Sequence, residues 1–174
     1  AGDSYQGASQ SFLIVDCHLE ANKSVSSSGG AMLAVDDAIG SVIRCSFVSN
    51  KSANCGGALT ISNGCFLTIK ECDFDSNWSE GIVNIFLNGV NGGDHLGEEP
   101  DVDPSLLTAL GGEERGGGAI WCGKRYWHDL SNVWFDQGSS SQMTVEGCKF
   151  SNNYTITEGG AIKTKYEGTK ATIR

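Results

Sequence analysis

Four tripeptides in this chain of 174 residues have the pattern of an N-linked glycan acceptor: Asn22-Lys23-Ser24, Asn50-Lys51-Ser52, Asn77-Trp78-Ser79 and Asn153-Tyr154-Thr155. The chemistry is attachment of a sugar to the side-chain amide nitrogen, which needs the asparagine on a surface turn of a secreted protein. Each asparagine stands five residues after a cysteine, at Cys17, Cys45, Cys72 or Cys148. The residue before it (Ala21, Ser49, Ser76 or Asn152) reads as inward-facing, which turns the asparagine outward unless a corner falls between the two. The competing reading is a ladder of stacked amides bonded from repeat to repeat and hidden from solvent. Crowding supports the ladder, because glycans on adjacent coils would be rooted only about 5 Å apart. We favour N-linked glycans at Asn22, Asn50, Asn77 and Asn153 over the ladder.

Other groups offer less. The acidic run Asp94, Glu98, Glu99, Asp101 and Asp103 carries oxygen ligands suited to calcium, but its spacing fits no standard loop, and a solvated acidic loop is the preferred reading. The stretch "WCGKRYWHDLSNVWF" (121–135) gathers Trp121, Tyr126, Trp127 and Trp134 beside Lys124 and Arg125. Such a group suits sugar stacking or a protein contact. Against that stands a loop that folds its aromatics onto the coil beneath, which we prefer. A Cys55–Cys65 bridge would close one loop of a secreted protein. The remaining cysteines read as stacked core residues, and the total of seven precludes complete pairing within the chain. His18, His95 and His128 are isolated from one another, and no phosphate loop, nucleophile elbow or zinc-finger spacing occurs. No catalytic residue, metal or cofactor is assigned.

The elements that position these residues follow from the repeat. Cys17 to Cys45 is 28 residues, Cys45 to Cys72 is 27, and Cys72 to Cys148 is 76. Before each cysteine, Ile14, Val42, Ile69 and Val145 stand at one position and Phe12, Gly40, Leu67 and Met143 two earlier. Leu19, Phe47, Phe74 and Phe150 follow it by two. Alternation of this kind marks strands with one buried face, and its change of parity at the cysteine marks a corner. A glycine pair then enters a further strand, in Gly29-Gly30-Ala31-Met32, Gly56-Gly57-Ala58-Leu59, Gly117-Gly118-Ala119-Ile120 and Gly159-Gly160-Ala161-Ile162. Each period therefore offers about three short strands. One such coil cannot bury its own interior, whereas stacked coils about 4.8 Å apart satisfy both core and backbone. The fold expected is all-β, a parallel β-helix of about five to six coils, in one segment spanning 1–174.

Two insertions interrupt it, near 88–115 and 123–141. The first holds a surface loop alone or a loop plus a degenerate coil at Leu107-Thr108-Ala109-Leu110; we lean toward the second. "ATIR" (171–174) aligns with "LTIK" (67–70), so the chain stops inside a repeat. With Ala1 following no leader pattern, this reads as part of a longer chain, or as a stack continued by end-to-end self-association or by other surface proteins.

The signals "FVSN" (47–50), "FDSN" (74–77) and "FSNN" (150–153), the variant "LEAN" (19–22) and the four glycine motifs resemble the FxxN and GGAI repeats of the polymorphic outer-membrane protein family. The resemblance covers most of 12–87 and 116–174. It implies a right-handed parallel β-helix passenger displayed at a cell surface and associated with adhesion, with motif residues that build a scaffold and carry no catalysis. The acid excess, 21 Asp and Glu against 12 Lys and Arg, disfavours nucleic acid, and no apolar run is long enough for a membrane helix. The function expected is a non-enzymatic structural or adhesive segment of an extracellular, N-glycosylated surface or fibre protein. The alternative is a carbohydrate-active or carbohydrate-binding β-helix, since that fold also hosts polysaccharide-cleaving enzymes.

Overall fold

The computed structural model describes residues 11–25, 28–80, 116–123, 126–128, 134–136, 139–156, 158–165 and 168–174. Coil 1 contains β1 (Ser11–Val15), β2 (His18–Glu20), β3 (Lys23–Ser24) and β4 (Met32–Ala34). Coil 2 repeats it with β5 (Ile39–Ile43), β6 (Ser46–Val48), β7 (Lys51–Ser52) and β8 (Leu59–Ser62). Coil 3 has β9 (Phe66–Lys70), β10 (Asp73–Asp75), β11 (Trp78–Ser79) and β12 (Ile120–Gly123). An antiparallel hairpin of β13 (Tyr126–His128) and β14 (Trp134–Asp136) follows. Coil 4 then resumes with β15 (Gln142–Glu146), β16 (Lys149–Ser151), β17 (Tyr154–Thr155) and β18 (Ile162–Thr164), and β19 (Lys170–Ile173) opens a fifth.

Apart from the hairpin, each strand pairs in parallel with its equivalent in the neighbouring coil, giving four parallel sheets, in the orders β1-β5-β9-β15-β19, β2-β6-β10-β16, β3-β7-β11-β17 and β4-β8-β12-β18. The protein is a parallel β-helix. The described coils number four and the start of a fifth, fewer than the five to six expected. Each has four strands rather than three, because the two residues after the asparagine form a short strand of their own. Coil 3 pairs directly with coil 4 in all four sheets, so no degenerate coil intervenes between them. The long insertion interrupts coil 3 instead, between β11 and β12; residues 81–115 lie outside the described residues.

The corners explain the parity of the repeat. Asp16, Arg44, Glu71 and Gly147, just before the cysteines, adopt φ between 50° and 61°. A single left-handed residue turns the chain and brings the next side chain back inside. Ala21, Ser49, Ser76 and Asn152 repeat the device at φ between 52° and 56°. That second corner falls immediately before the asparagine and overturns the expected column: Ser49 and Ser76 are exposed, and Asn50 and Asn77 face inward. At the third corner Gly56 has φ +62°, and a Cβ on Gly57 would lie 2.1 Å from the carbonyl oxygen of Gly118. A Cβ on Gly56 would itself lie 2.2 Å from the Leu59 carbonyl oxygen, so both glycines are obligatory because neither place has room for a side chain.

Inside, Val42, Leu59, Ile61, Ile69, Ile120 and Val145 are buried, and Phe47, Phe74 and Phe150 stack face to face with centroids 4.7 and 4.9 Å apart. In-register repetition forces this parallel stack, since identical side chains recur at the spacing of neighbouring strands. Phe12 sits over Gly40, whose missing side chain leaves room for the ring.

Candidate functional site: the inner ladders and the outer face

The four repeat asparagines form a continuous amide ladder. Nδ2 of Asn22 donates to Oδ1 of Asn50 at 3.0 Å, Asn50 to Asn77 at 3.0 Å, and Asn77 to Asn153 at 2.9 Å. The second Nδ2 hydrogen of Asn50, Asn77 and Asn153 goes to the main-chain oxygen of Leu19, Phe47 and Phe74 respectively, each at 2.9 Å. Each Oδ1 of Asn50, Asn77 and Asn153 also accepts the backbone N–H of the asparagine one coil earlier. Asn50 and Asn77 have no exposed surface. The outward orientation expected of the asparagines is corrected: in the folded coil the side-chain nitrogens of Asn50 and Asn77 are buried and both their hydrogens are used. Asn22 is exposed and Asn153 half-buried, but their Nδ2 groups are committed to the same ladder.

The cysteine column runs beside it. Cys45 N–H donates to Cys72 Sγ at 3.4 Å, and Cys72 N–H to Cys148 Sγ at 3.3 Å. No disulfide joins Cys55 to Cys65 in this structure. Cys55 Sγ lies 3.0 Å from Ser28 Oγ, while Cys65 Sγ donates to the Ser62 carbonyl at 3.1 Å. Burial pushes the Cys65 thiol up and the Cys122 thiol up to about 12. Hydrogen bonding from Cys72 brings Cys148 down to about 7, while the Cys72 thiol itself is pushed up by that partnership and by burial.

Trp121 is not a surface contact; it is buried, with its ring against Gly123. Tyr126, Trp127 and Trp134 lie on the hairpin, where only the backbone is described. The acidic run Asp94, Glu98, Glu99, Asp101 and Asp103 falls outside the described residues. Among the described residues no group of three or more His, Cys, Asp or Glu is placed to hold a metal ion. No helix among them is long and apolar enough to cross a membrane.

The outer face carries short polar ladders. Arg44 pairs with Asp16 through two bonds of 2.7 Å, which hold the Asp16 carboxyl below its ordinary range. Asp75 accepts from Ser151 Oγ at 2.6 Å and Asn152 Nδ2 at 3.0 Å and is lowered likewise. His18 bridges Ser46 Oγ and Glu20, the latter at 3.0 Å. That trio has hydrolase composition without hydrolase geometry. His18 and Glu20 are more than half exposed, and the Ser46 N–H is spent on the Cys17 carbonyl.

Sequence reasoning missed one outer group. Lys51 Nζ lies 4.2 Å over the Trp78 ring, and Trp78 meets Tyr154 edge-on at 5.9 Å. Their common signal was the middle position of the asparagine tripeptides, which points out while its neighbours point in.

No curated protein and no solved structure matches the chain. Residues 147–165, which hold Cys148, Phe150, Asn153 and the glycine pair of coil 4, match the Chlamydia polymorphic membrane protein repeat; the chain is a repeat protein similar to that family there, and coils 1 to 3 stack in register on the matching unit.

Proposed function

We propose that the chain is a non-enzymatic structural or adhesive segment of a cell-surface protein. What carries the reading is where the repeated residues go: asparagines, cysteines, phenylalanines and glycines all serve the stack. The outward columns between them vary from coil to coil, as with His18, Ser46, Asp73 and Lys149. A scaffold that conserves its inside and diversifies its outside suits display and contact with other surface proteins. The match to a polymorphic membrane protein repeat supports the same setting. Function in this fold resides in sites on its surface, which is where the test belongs.

The test is adhesion of beads coated with the folded chain to cultured epithelial cells, with the soluble chain as competitor. Saturable attachment that the competitor abolishes is expected. Attachment no greater than that of beads coated with a heat-unfolded chain would remove the adhesive reading. Release of reducing ends from a polysaccharide panel would replace it with the carbohydrate-active one.

A further inference from the structure

We propose that Cys148 is an oxidation site for peroxide-class two-electron oxidants, with Cys72 in the adjacent coil as its resolving thiol, so that the product is a disulfide between coils 3 and 4. The two cysteines occupy the same place in successive coils, directly before the paired residues Asp73–Lys149 and Phe74–Phe150. Adjacent parallel strands lie about 4.8 Å apart, inside the Cα range of about 4.4–6.8 Å that a disulfide spans. Cys72 N–H already points at Cys148 Sγ from 3.3 Å.

The column is not uniform. Cys45 and Cys72 are 2% and 0% exposed, while Cys148 is half-buried, so of the coupled pair the oxidant reaches Cys148 first. Its thiol is held down to about 7, chiefly by the Cys72 hydrogen bond. Asp73, one residue beyond Cys72, opposes this from β10, with Lys149 4.0 Å from that carboxylate. Glu71 and Glu146 flank the corner, Glu71 beside Gly147 and Glu146 through its carbonyl, which accepts the Cys148 S–H at 3.4 Å. Cys65 and Cys122 have no exposed surface, so the oxidant does not reach them first.

The step balances. The Cys148 thiolate attacks one peroxide oxygen and the O–O bond breaks, giving a sulfenic acid and, after protonation, water. The Cys72 sulfur then attacks the Cys148 sulfur, forming S–S and releasing the second water. Two thiols are oxidised by two electrons and one hydrogen peroxide is reduced to two waters. The new bond spans 76 residues of sequence and encloses the insertion in coil 3.

The experiment treats the reduced 174-residue chain with one equivalent of hydrogen peroxide, blocks residual thiols with N-ethylmaleimide, and maps disulfides by non-reducing digestion and mass spectrometry. A Cys72–Cys148 peptide is expected as the first product. Its rate of formation should rise about tenfold from pH 6 to pH 8 and then level off, whereas an ordinary thiol would gain nearly about a hundredfold and keep rising. In Cys72→Ala the Cys148 sulfenic acid should persist and be trapped by dimedone. A first product of Cys17–Cys45 or Cys45–Cys72, or a rate still climbing tenfold per unit above pH 8, would overturn the proposal. Should the variant not fold, the wild-type map and pH profile decide alone.

Discussion

Replacing Asn77 by alanine tests the ladder at one of its two fully buried rungs. The substitution removes two donated bonds, to Phe47 O and Asn153 Oδ1, and two accepted ones, from Asn50 N and Asn50 Nδ2. The carbonyl of Phe47 has a second lone pair for the sheet, so its loss is partial. The Asn50 backbone N–H and one Asn50 amide hydrogen are left in a residue with no exposed surface. At about 1–3 kcal/mol for each orphaned buried donor, the cost is about 2–6 kcal/mol. That is a large share of the roughly 5–15 kcal/mol that holds a domain together. Asn22→Ala is the control, because Asn22 is exposed and Asn50 Oδ1 keeps the Asn22 backbone N–H; it should cost no more than about 1 kcal/mol. Urea unfolding of both variants, followed by circular dichroism, gives the difference. Asn77→Asp sharpens the test: it is nearly isosteric but sets carboxylate oxygens against Phe47 O and Asn153 Oδ1. Its folded-state pKa must rise, so its penalty should shrink as pH falls toward the ordinary carboxyl range. Equal urea midpoints for Asn77→Ala and Asn22→Ala would refute the ladder as a source of stability.

Four further outcomes are expected. Purified oligosaccharyltransferase with a lipid-linked donor should modify Asn50 and Asn77 in the urea-unfolded chain and leave them untouched in the folded one; modification of the folded protein at either residue would contradict their burial. Gly57→Ala should cost about 3 kcal/mol or prevent stacking, since its Cβ would lie 2.1 Å from Gly118 O and 2.5 Å from Trp78 N. Gly147→Arg should stay within about 1 kcal/mol of wild type by thermal unfolding, because Arg44 adopts the same left-handed corner and the nearest atom to a Cβ at Gly147 is 3.6 Å away. Side-chain NMR titration should find the Asp75 carboxyl below its ordinary range and returned toward it in Ser151→Ala; the stability it contributes is present above the unfolded-state pKa and lost as pH falls through the folded one.

The stacked architecture was legible because period and parity repeat. Ile14, Val42, Ile69 and Val145 mark one inner column without any knowledge of the corners. The number of coils was not legible. Gly117-Gly118-Ala119-Ile120 stands far along the sequence from Asn77, yet β12 pairs with β8 and completes coil 3 across the insertion. Sequence distance is silent on whether an insertion sits within a coil or between two. Trp121 was misread for a related reason. It follows an inward Ile120 on a strand buried along both faces, and alternation alone cannot reveal a second covered face.

The asparagine column was misread because a corner of one residue leaves no mark in hydrophobicity. Ala21, Ser49, Ser76 and Asn152 are small or polar, as an inward position under a tight turn or an outward one would equally allow. Their left-handed conformation reverses the parity that alternation would otherwise carry forward. Once it is reversed, the glycan-acceptor pattern has a structural origin. Asn50 faces in to make the ladder, Lys51 faces out, and Ser52 faces in again, where its hydroxyl donates to the Cys55 carbonyl at 3.0 Å. Asn77, Trp78 and Ser79 repeat the alternation. A corner amide inside, any side chain outside and a small hydroxyl-bearing residue inside spell Asn-x-Ser in coils 1 to 3 and Asn-x-Thr in coil 4. Four acceptor patterns at one structural position are then one constraint written four times, and their recurrence measures the regularity of the stack.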